Sequence, residues 1–225
     1  MELWIPLRLS LSVSVAGLIV ALLVGVPLAA ALALGRWRGR DLVEVLLTAP
    51  MVLPPTVLGY YLLVAFGRDG APGRLYEALF GTPLVFTPAG CVLAATVAAL
   101  PFVVKSTRAA LEEVDHGLLA AAATLGAGPW RRAVTILLPL ARRGIAAGAM
   151  LGFARALGDF GVTLMVAGSI PGLTRTAPLA IYDALLAGQD ALAGGLAALL
   201  AAVGIAVLLL VNRAVPPARG RRTVT

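Results

Sequence analysis

The chain has 225 residues, 60% of them hydrophobic and 13% charged, with a mean hydropathy of +0.96. A soluble domain of that length cannot enclose so much apolar surface, so the chain belongs in lipid. Its net charge of +7 is dispersed at the ends of apolar segments, which argues against a nucleic-acid interface and reads as a topology signal.

Five apolar stretches can each cross a hydrocarbon layer of ~30 Å as a helix of about 20 residues: 9–34, 42–66, 85–110, 144–168 and 192–212. The expected fold is all-α, a polytopic membrane helix bundle of about five membrane-crossing helices, six at most. It forms one transmembrane domain over residues 1–225, with short helical pieces at most in the gaps 67–84, 111–143 and 169–191. The first stretch is read as a retained helix, not a cleaved leader. Only Arg8 precedes it, it is too long for a leader core, and Arg36, Arg38 and Arg40 follow it as a stop-transfer cluster. Within it Gly17, Ala21 and Gly25 recur every four residues, a small-residue ridge that lets helix backbones approach closely in lipid.

The second stretch is interrupted at Pro50, Pro54 and Pro55. Adjacent prolines remove two N–H donors and clash with carbonyls one turn back. Broken backbone at membrane depth is tolerated where protein packs on it or where it lines a water-filled path. Thr56 and Gly59 follow with a hydroxyl and a close-approach position, so Pro54, Pro55 and Thr56 are candidate pathway residues beside the plainer reading of a structural kink. The third stretch holds Cys91, the one cysteine, read as a small packing residue. His116, the one histidine, has no Cys or His at ligand spacing and reads as a loop residue, so no metal site is expected.

In the long loop, Leu118, Leu119, Ala122 and Leu125 follow a helical stripe that stops at Gly126, with Gly128 and Pro129 beyond. This is a short amphipathic helix able to lie in a partner's groove, and Trp130, Arg131 and Arg132 mark the return to the membrane interface. The fourth stretch carries a second ridge, Gly144, Gly148, Gly152 and Ala156, and an ionisable pair, Arg155 and Asp159. Four residues apart on a helix, the pair shares one face. Charge at membrane depth costs about 2.5–3.5 kcal/mol and usually faces a bundle interior or an aqueous path. A pathway or gate role and a structural salt bridge are both open for it. Both ridges are read as packing within the subunit.

Orientation follows the basic residues. Arg36, Arg38, Arg40, Lys105, Arg108, Arg131, Arg132, Arg142, Arg143, Arg213, Arg219, Arg221 and Arg222 fall on one side and Arg8, Arg68, Arg74 and Arg175 on the other. With Arg155 inside a helix, these thirteen, four and one account for all 18. The N-terminus is expected outside and the C-terminus in the cytoplasm.

Neither ATP hydrolysis nor other catalysis is expected of this chain. Its only lysine, Lys105, lies between Val104 and Ser106, so the Gly-Lys-Ser/Thr core of a phosphate-binding loop is missing. One histidine, one cysteine and acidic residues mostly in loops offer no nucleophile and base on a common face.

Residues 120–139, AAAATLGAGPWRRAVTILLP, place Gly126 thirteen residues ahead of Pro139. This frame resembles the cytoplasmic coupling loop of ABC importer permeases, which reads Glu-Ala-Ala, three residues, Gly, nine residues, Ile-x-Leu-Pro. Ala121, Ala122, Gly126, Ile136, Leu138 and Pro139 match it, and Leu125 and Ala127 flank the glycine. The family's Glu falls on Ala120, which removes one polar contact to the ATPase. The segments LPPTVLGYYLLVAFGRDG, FARALGDFG and IPGLTRTAPLAIY extend the resemblance along nearly the whole chain, to permeases of molybdate, tungstate and sulfate importers.

That resemblance implies an ABC importer permease fold, a second copy of the chain around a central path, and two cytoplasmic ATPase subunits that hold ATP and magnesium. It also implies an external molybdate-binding protein, surrounding inner-membrane lipid, and import by alternating access. No cofactor is expected on this chain. An oxyanion path needs hydroxyls, small residues and limited positive charge, since a tight cationic site would retain the ion. Thr56, Arg155, Thr163 and Ser169 are the candidates. A sulfate, thiosulfate or other anion permease is the alternative on the same architecture. A membrane enzyme would need clustered His, Asp or Glu at one face, and a structural anchor would not need the 120–139 frame.

Overall fold

Long apolar runs with few helix breakers form the long helices here. The computed structural model describes residues 4–35 and 37–214; Arg36, Arg219, Arg221 and Arg222, used above for orientation, lie outside the described residues. Helix α1 spans Trp4–Leu34, α5 Pro88–Glu112 and α11 Asp190–Ala214. A fourth long helix runs over Pro129–Leu157 as α7 (Pro129–Arg132), a π-helical stretch (Ala133–Leu137) and α8 (Leu138–Leu157). These four are long and apolar enough to cross a membrane.

The second apolar stretch is not one helix. Helix α2 (Arg40–Thr48) continues through a 3-10 turn (Ala49–Met51), and α3 (Pro55–Phe66) leaves it at 116°. Pro54 stands in an extended conformation with ψ at 135° and Pro55 opens α3, as expected of residues that cannot donate to a preceding turn. The crossings therefore number four, or five when the bent pair counts as one broken span. The gaps at 67–84 and 169–191 hold α4 (Ala71–Phe80) and α10 (Ala177–Leu186), both too short to cross. No strand occurs among the described residues.

The fourth span also differs from its apolar run. It begins at Pro129, well before 144, because Arg131, Arg132, Arg142 and Arg143 interrupt hydropathy without interrupting a helix. At 1.5 Å per residue its 29 residues reach about 43 Å, more than a ~30 Å hydrocarbon layer; at its start Trp130 is 81% exposed and Arg132 half-buried. Pro139 lies inside this helix; the π stretch falls over the carbonyl one turn before it, where a proline ring would otherwise clash. The far end stops at Gly158, and a separate short helix, α9 (Gly161–Ala167), follows.

Both glycine ridges pack onto α5. A Cβ added at Gly17 would stand 2.6 Å from Ala95 Cβ, one at Gly148 2.9 Å from Ser106 Cβ, and one at Gly152 3.1 Å from the Ala99 carbonyl oxygen. Close backbone approach, not a seam left for another chain, is their use here. Gly148→Leu should therefore abolish recovery of monodisperse protein from detergent. Gly194→Leu, on α11 where a side chain would meet nothing within 4 Å, should leave that yield within about twofold.

Candidate functional site

Two helix breaks meet where α3 packs on α9. The break between α8 and α9 turns Asp159 inward, where its side chain is 1% exposed while that of Arg155 is 32% exposed. Arg155 Nη1 donates to Asp159 Oδ1 at 2.9 Å. The other carboxylate oxygen accepts from the Thr163 backbone N–H at 2.9 Å and from Thr163 Oγ1 at 2.8 Å. The carboxylate thus satisfies an open donor in the first turn of α9 and ties that helix to α8 across Gly158. Thr163 is buried and engaged in this way.

The α2–α3 break docks against the same place. A Cβ at Gly161 would be 2.8 Å from Pro55 Cβ, and one at Gly59 would be 2.7 Å from Met165 Cβ, so α3 and α9 are held at contact distance by two glycines. Pro54, Pro55 and Thr56 are exposed in the isolated chain, as is Val52 at 86%. Sequence reasoning placed these residues in one group, and the structure brings Pro55, Thr56 and the Arg155–Asp159–Thr163 cluster together through Gly161.

Ser169 belongs to a different cluster. Its hydroxyl donates to Asp183 Oδ2 at 2.6 Å and accepts from Arg175 Nε at 3.3 Å, while Arg175 Nε lies 2.9 Å from the same carboxylate oxygen. The intervening loop is fixed by Thr174 Oγ1, which accepts from the Ile170 N–H at 3.0 Å and donates to the Gly168 carbonyl at 3.2 Å. Ser10 of α1 accepts from the Ala177 N–H at 2.7 Å, anchoring the start of α10. Arg175 pairing with Asp183 has no periodic signal in sequence, because the two sit on a loop and a helix.

At the other end of the bundle, α6 (His116–Thr124) stands as the short helix expected in the long loop. Asp115 caps it, accepting from the Gly117 N–H at 2.7 Å. It ends on Gly126 with φ at +79°, where the N–H groups of Gly126 and Ala127 each reach carbonyls of Ala123 and Ala122 at 3.0 Å. That closing turn requires a left-handed residue, which glycine supplies without strain. The apolar stripe divides: Leu119 packs on Leu111, Val114, Leu137 and Ala141, whereas Leu118 is half exposed and Leu125 is 88% exposed. Ala121 and Gly126 share the exposed side; Ala122, Ala127, Ile136 and Leu138 are half-buried and Pro139 is exposed.

A second ion-pair group lies near α6, and its pairings between α2 and α5 have no signal along the sequence. Arg108 of α5 pairs with Glu44 of α2 and, at 2.7 Å, with Glu112, which Arg40 approaches at 3.4 Å. It fastens the first half of the broken span to the end of α5 that leads into α6. Among the described residues no group of three or more His, Cys, Asp or Glu is placed to hold a metal.

Broken helices gathered around the part-buried Arg155–Asp159 pair, with a short apolar-tipped helix standing off the end of the bundle, point to a membrane transport subunit. The chain belongs to the binding-protein-dependent transport system inner membrane components, whose family pattern matches residues 21–219. It is therefore a multi-pass inner-membrane subunit. It is 47% identical over 180 residues to the molybdenum transport system permease protein ModB of Escherichia coli K12, covering 80% of this chain and 78% of that one. It is 44% identical over 177 residues to ModB of Haemophilus influenzae, covering 79% and 77%. With ModB of Mycobacterium tuberculosis it shares 42% identity over 214 residues, covering 93% and 79%. Among solved structures, a chain of the inward-facing MetNI methionine ABC transporter superposes with a TM-score of 0.72 at 19% identity, covering 95% of this chain and 93% of that one. A chain of a bacterial alginate ABC transporter, in complex with its periplasmic protein, superposes with a TM-score of 0.74 at 15% identity, covering 95% and 78%. Those two likenesses concern the fold.

Proposed function

We propose that this chain is the membrane subunit through which an ATP-driven importer moves an oxyanion, molybdate or tungstate, into the cell. The names of its relatives support the substrate, and the exposed tip of α6, Leu125 beside the left-handed Gly126, carries the coupling role. A Leu side chain almost wholly exposed at the end of a helix that projects from the bundle is suited to an apolar socket in a partner. The partners are two cytoplasmic ATPase subunits holding ATP and magnesium, an external molybdate-binding protein and a second copy of this chain, with residues 1–225 acting as one transmembrane domain.

The second copy has a physical reason. Irregular backbone facing hydrocarbon leaves its polar groups without partners, so the exposed Val52–Thr56 break belongs against another protein surface or an aqueous path. Pro54, Pro55 and Thr56, with Arg155 behind them, line that path; Asp159 and Thr163 hold Arg155 in place, and Ser169 acts at the outer loop. Ala121, Ala122, Leu125, Gly126, Ala127, Ile136, Leu138 and Pro139 form the surface and hinge that meet the ATPase.

The α6 end faces the cytoplasm in this reading and the N-terminus lies outside. In a Cys91→Ala background, Asp69→Cys should react with an impermeant thiol reagent from outside and Gly128→Cys only from inside. Both positions are exposed, and reversed labelling would contradict the orientation. The substrate is tested by ATP hydrolysis of the reconstituted complex. Hydrolysis should rise when the external binding protein is loaded with molybdate or tungstate and stay basal with sulfate; stimulation by sulfate alone would reassign the oxyanion.

A further inference from the structure

A groove of about 390 Å³ lies on the flank of the bundle between α1, α8 and α11. Val15 and Leu18 of α1, Ala146, Met150 and Phe153 of α8 and Val207 of α11 line it, and no polar side chain does. It is open because α11, which packs through Leu196 and meets Leu157 of α8 near Gly204, is largely exposed beyond that point, with Ile205 58% and Leu210 66% exposed. The glycine ridge of α8 faces the other way, onto α5, so the groove is separate from the breaks where the permeation residues meet.

The groove-lining stripe of α8 continues toward the α6 end into two arginines. At 3.6 residues per turn, Arg142 and Arg143 lie about 40° and 60° around the axis from Ala146, flanking the stripe about one turn beyond it. Both are exposed, and neither pairs with a carboxylate among the described residues. The two arginines thus stand at the α6 end of the groove, with side chains long enough to reach a headgroup layer.

We propose that the groove holds one acyl chain of an anionic phospholipid whose phosphate rests on Arg142 and Arg143. The apolar lining accounts for a chain of any lipid; the two cations without carboxylate partners at its end select the negative headgroup, as basic sites between membrane helices do. A lipid seated there packs α11 against α1 and α8, where protein contacts are sparse.

The test uses the assembled transporter and native mass spectrometry, titrating phosphatidylglycerol against phosphatidylcholine of the same chain length. The parent should retain phosphatidylglycerol about tenfold better. Arg142→Gln with Arg143→Gln should bring the two lipids to parity, and the double change to Lys should keep most of the preference. Ala146→Trp, filling the groove, should lower retention of both lipids. Equal retention of the two lipids by the parent, or an unchanged preference in the double Gln variant, would overturn the assignment. So would disulfide cross-linking of Val15→Cys between two copies in the membrane, since the groove would then be an interface between chains.

Discussion

Arg155→Ala should lower recovery of the assembled complex far more than the double change Arg155→Ala with Asp159→Ala. The single change leaves a carboxylate that is 1% exposed with only the two Thr163 bonds to hold it. Breaking a buried pair by removing one partner costs about 3–5 kcal/mol, whereas removing both partners costs much less. Some loss remains in the double variant because the first turn of α9 loses its acceptor, about 1 kcal/mol. Thermal midpoints in detergent and size-exclusion profiles measure this. Transport then separates the two roles of the pair: a double variant that assembles but moves oxyanion poorly places Arg155 on the path, and one that recovers both makes the pair structural. Single variants that assemble and transport like the parent would contradict both.

Leu125→Asp should abolish retention of the ATPase while leaving the membrane bundle folded. The side chain is 88% exposed and makes no contribution to the core of the chain. A charge in an apolar socket costs about 2 kcal/mol or more, roughly 30-fold in affinity. Gly126 gives the matched backbone test. Gly126→Asn, tolerated in the left-handed region, should keep coupling, and Gly126→Phe should lose it. Nothing lies within 4 Å of a Cβ there, so the phenylalanine disturbs the docking surface and the local turn, not the bundle. Normal ATPase retention by Leu125→Asp and Gly126→Phe would remove the coupling role from α6.

The parts that were legible in sequence are those governed by local rules. The end of α6 followed from an apolar stripe and a glycine stop, and Leu125 and Gly126 occupy those positions, whereas its Asp115 cap came only with the structure. The ridges at Gly17 and Gly148 followed from four-residue spacing, and their packing within the subunit needed only one long neighbour, α5. The pair Arg155–Asp159 followed from i, i+4 geometry. What escaped depends on tertiary placement. The bend of 116° at Met51–Pro55 is a direction, and prolines announce a break without saying where the chain goes next. The start of the fourth long helix at Pro129 was hidden because hydropathy ends at arginines that a helix tolerates. Ser169 with Arg175 and Asp183, and Arg108 with Glu44, join residues on separate elements, and no spacing along the chain encodes such pairs.

On the function proposed for it, this chain conducts an oxyanion when, and only when, an ATPase acts on it. The direct measurement is accumulation of labelled molybdate in proteoliposomes that contain this chain, its ATPase and the external binding protein, with ATP supplied on the side that carries α6. Uptake should require ATP, the binding protein and an intact Leu125, and should fall to background in the Leu125→Asp variant although that variant inserts normally. Uptake that persists without ATP, or that proceeds unchanged in Leu125→Asp, would contradict it.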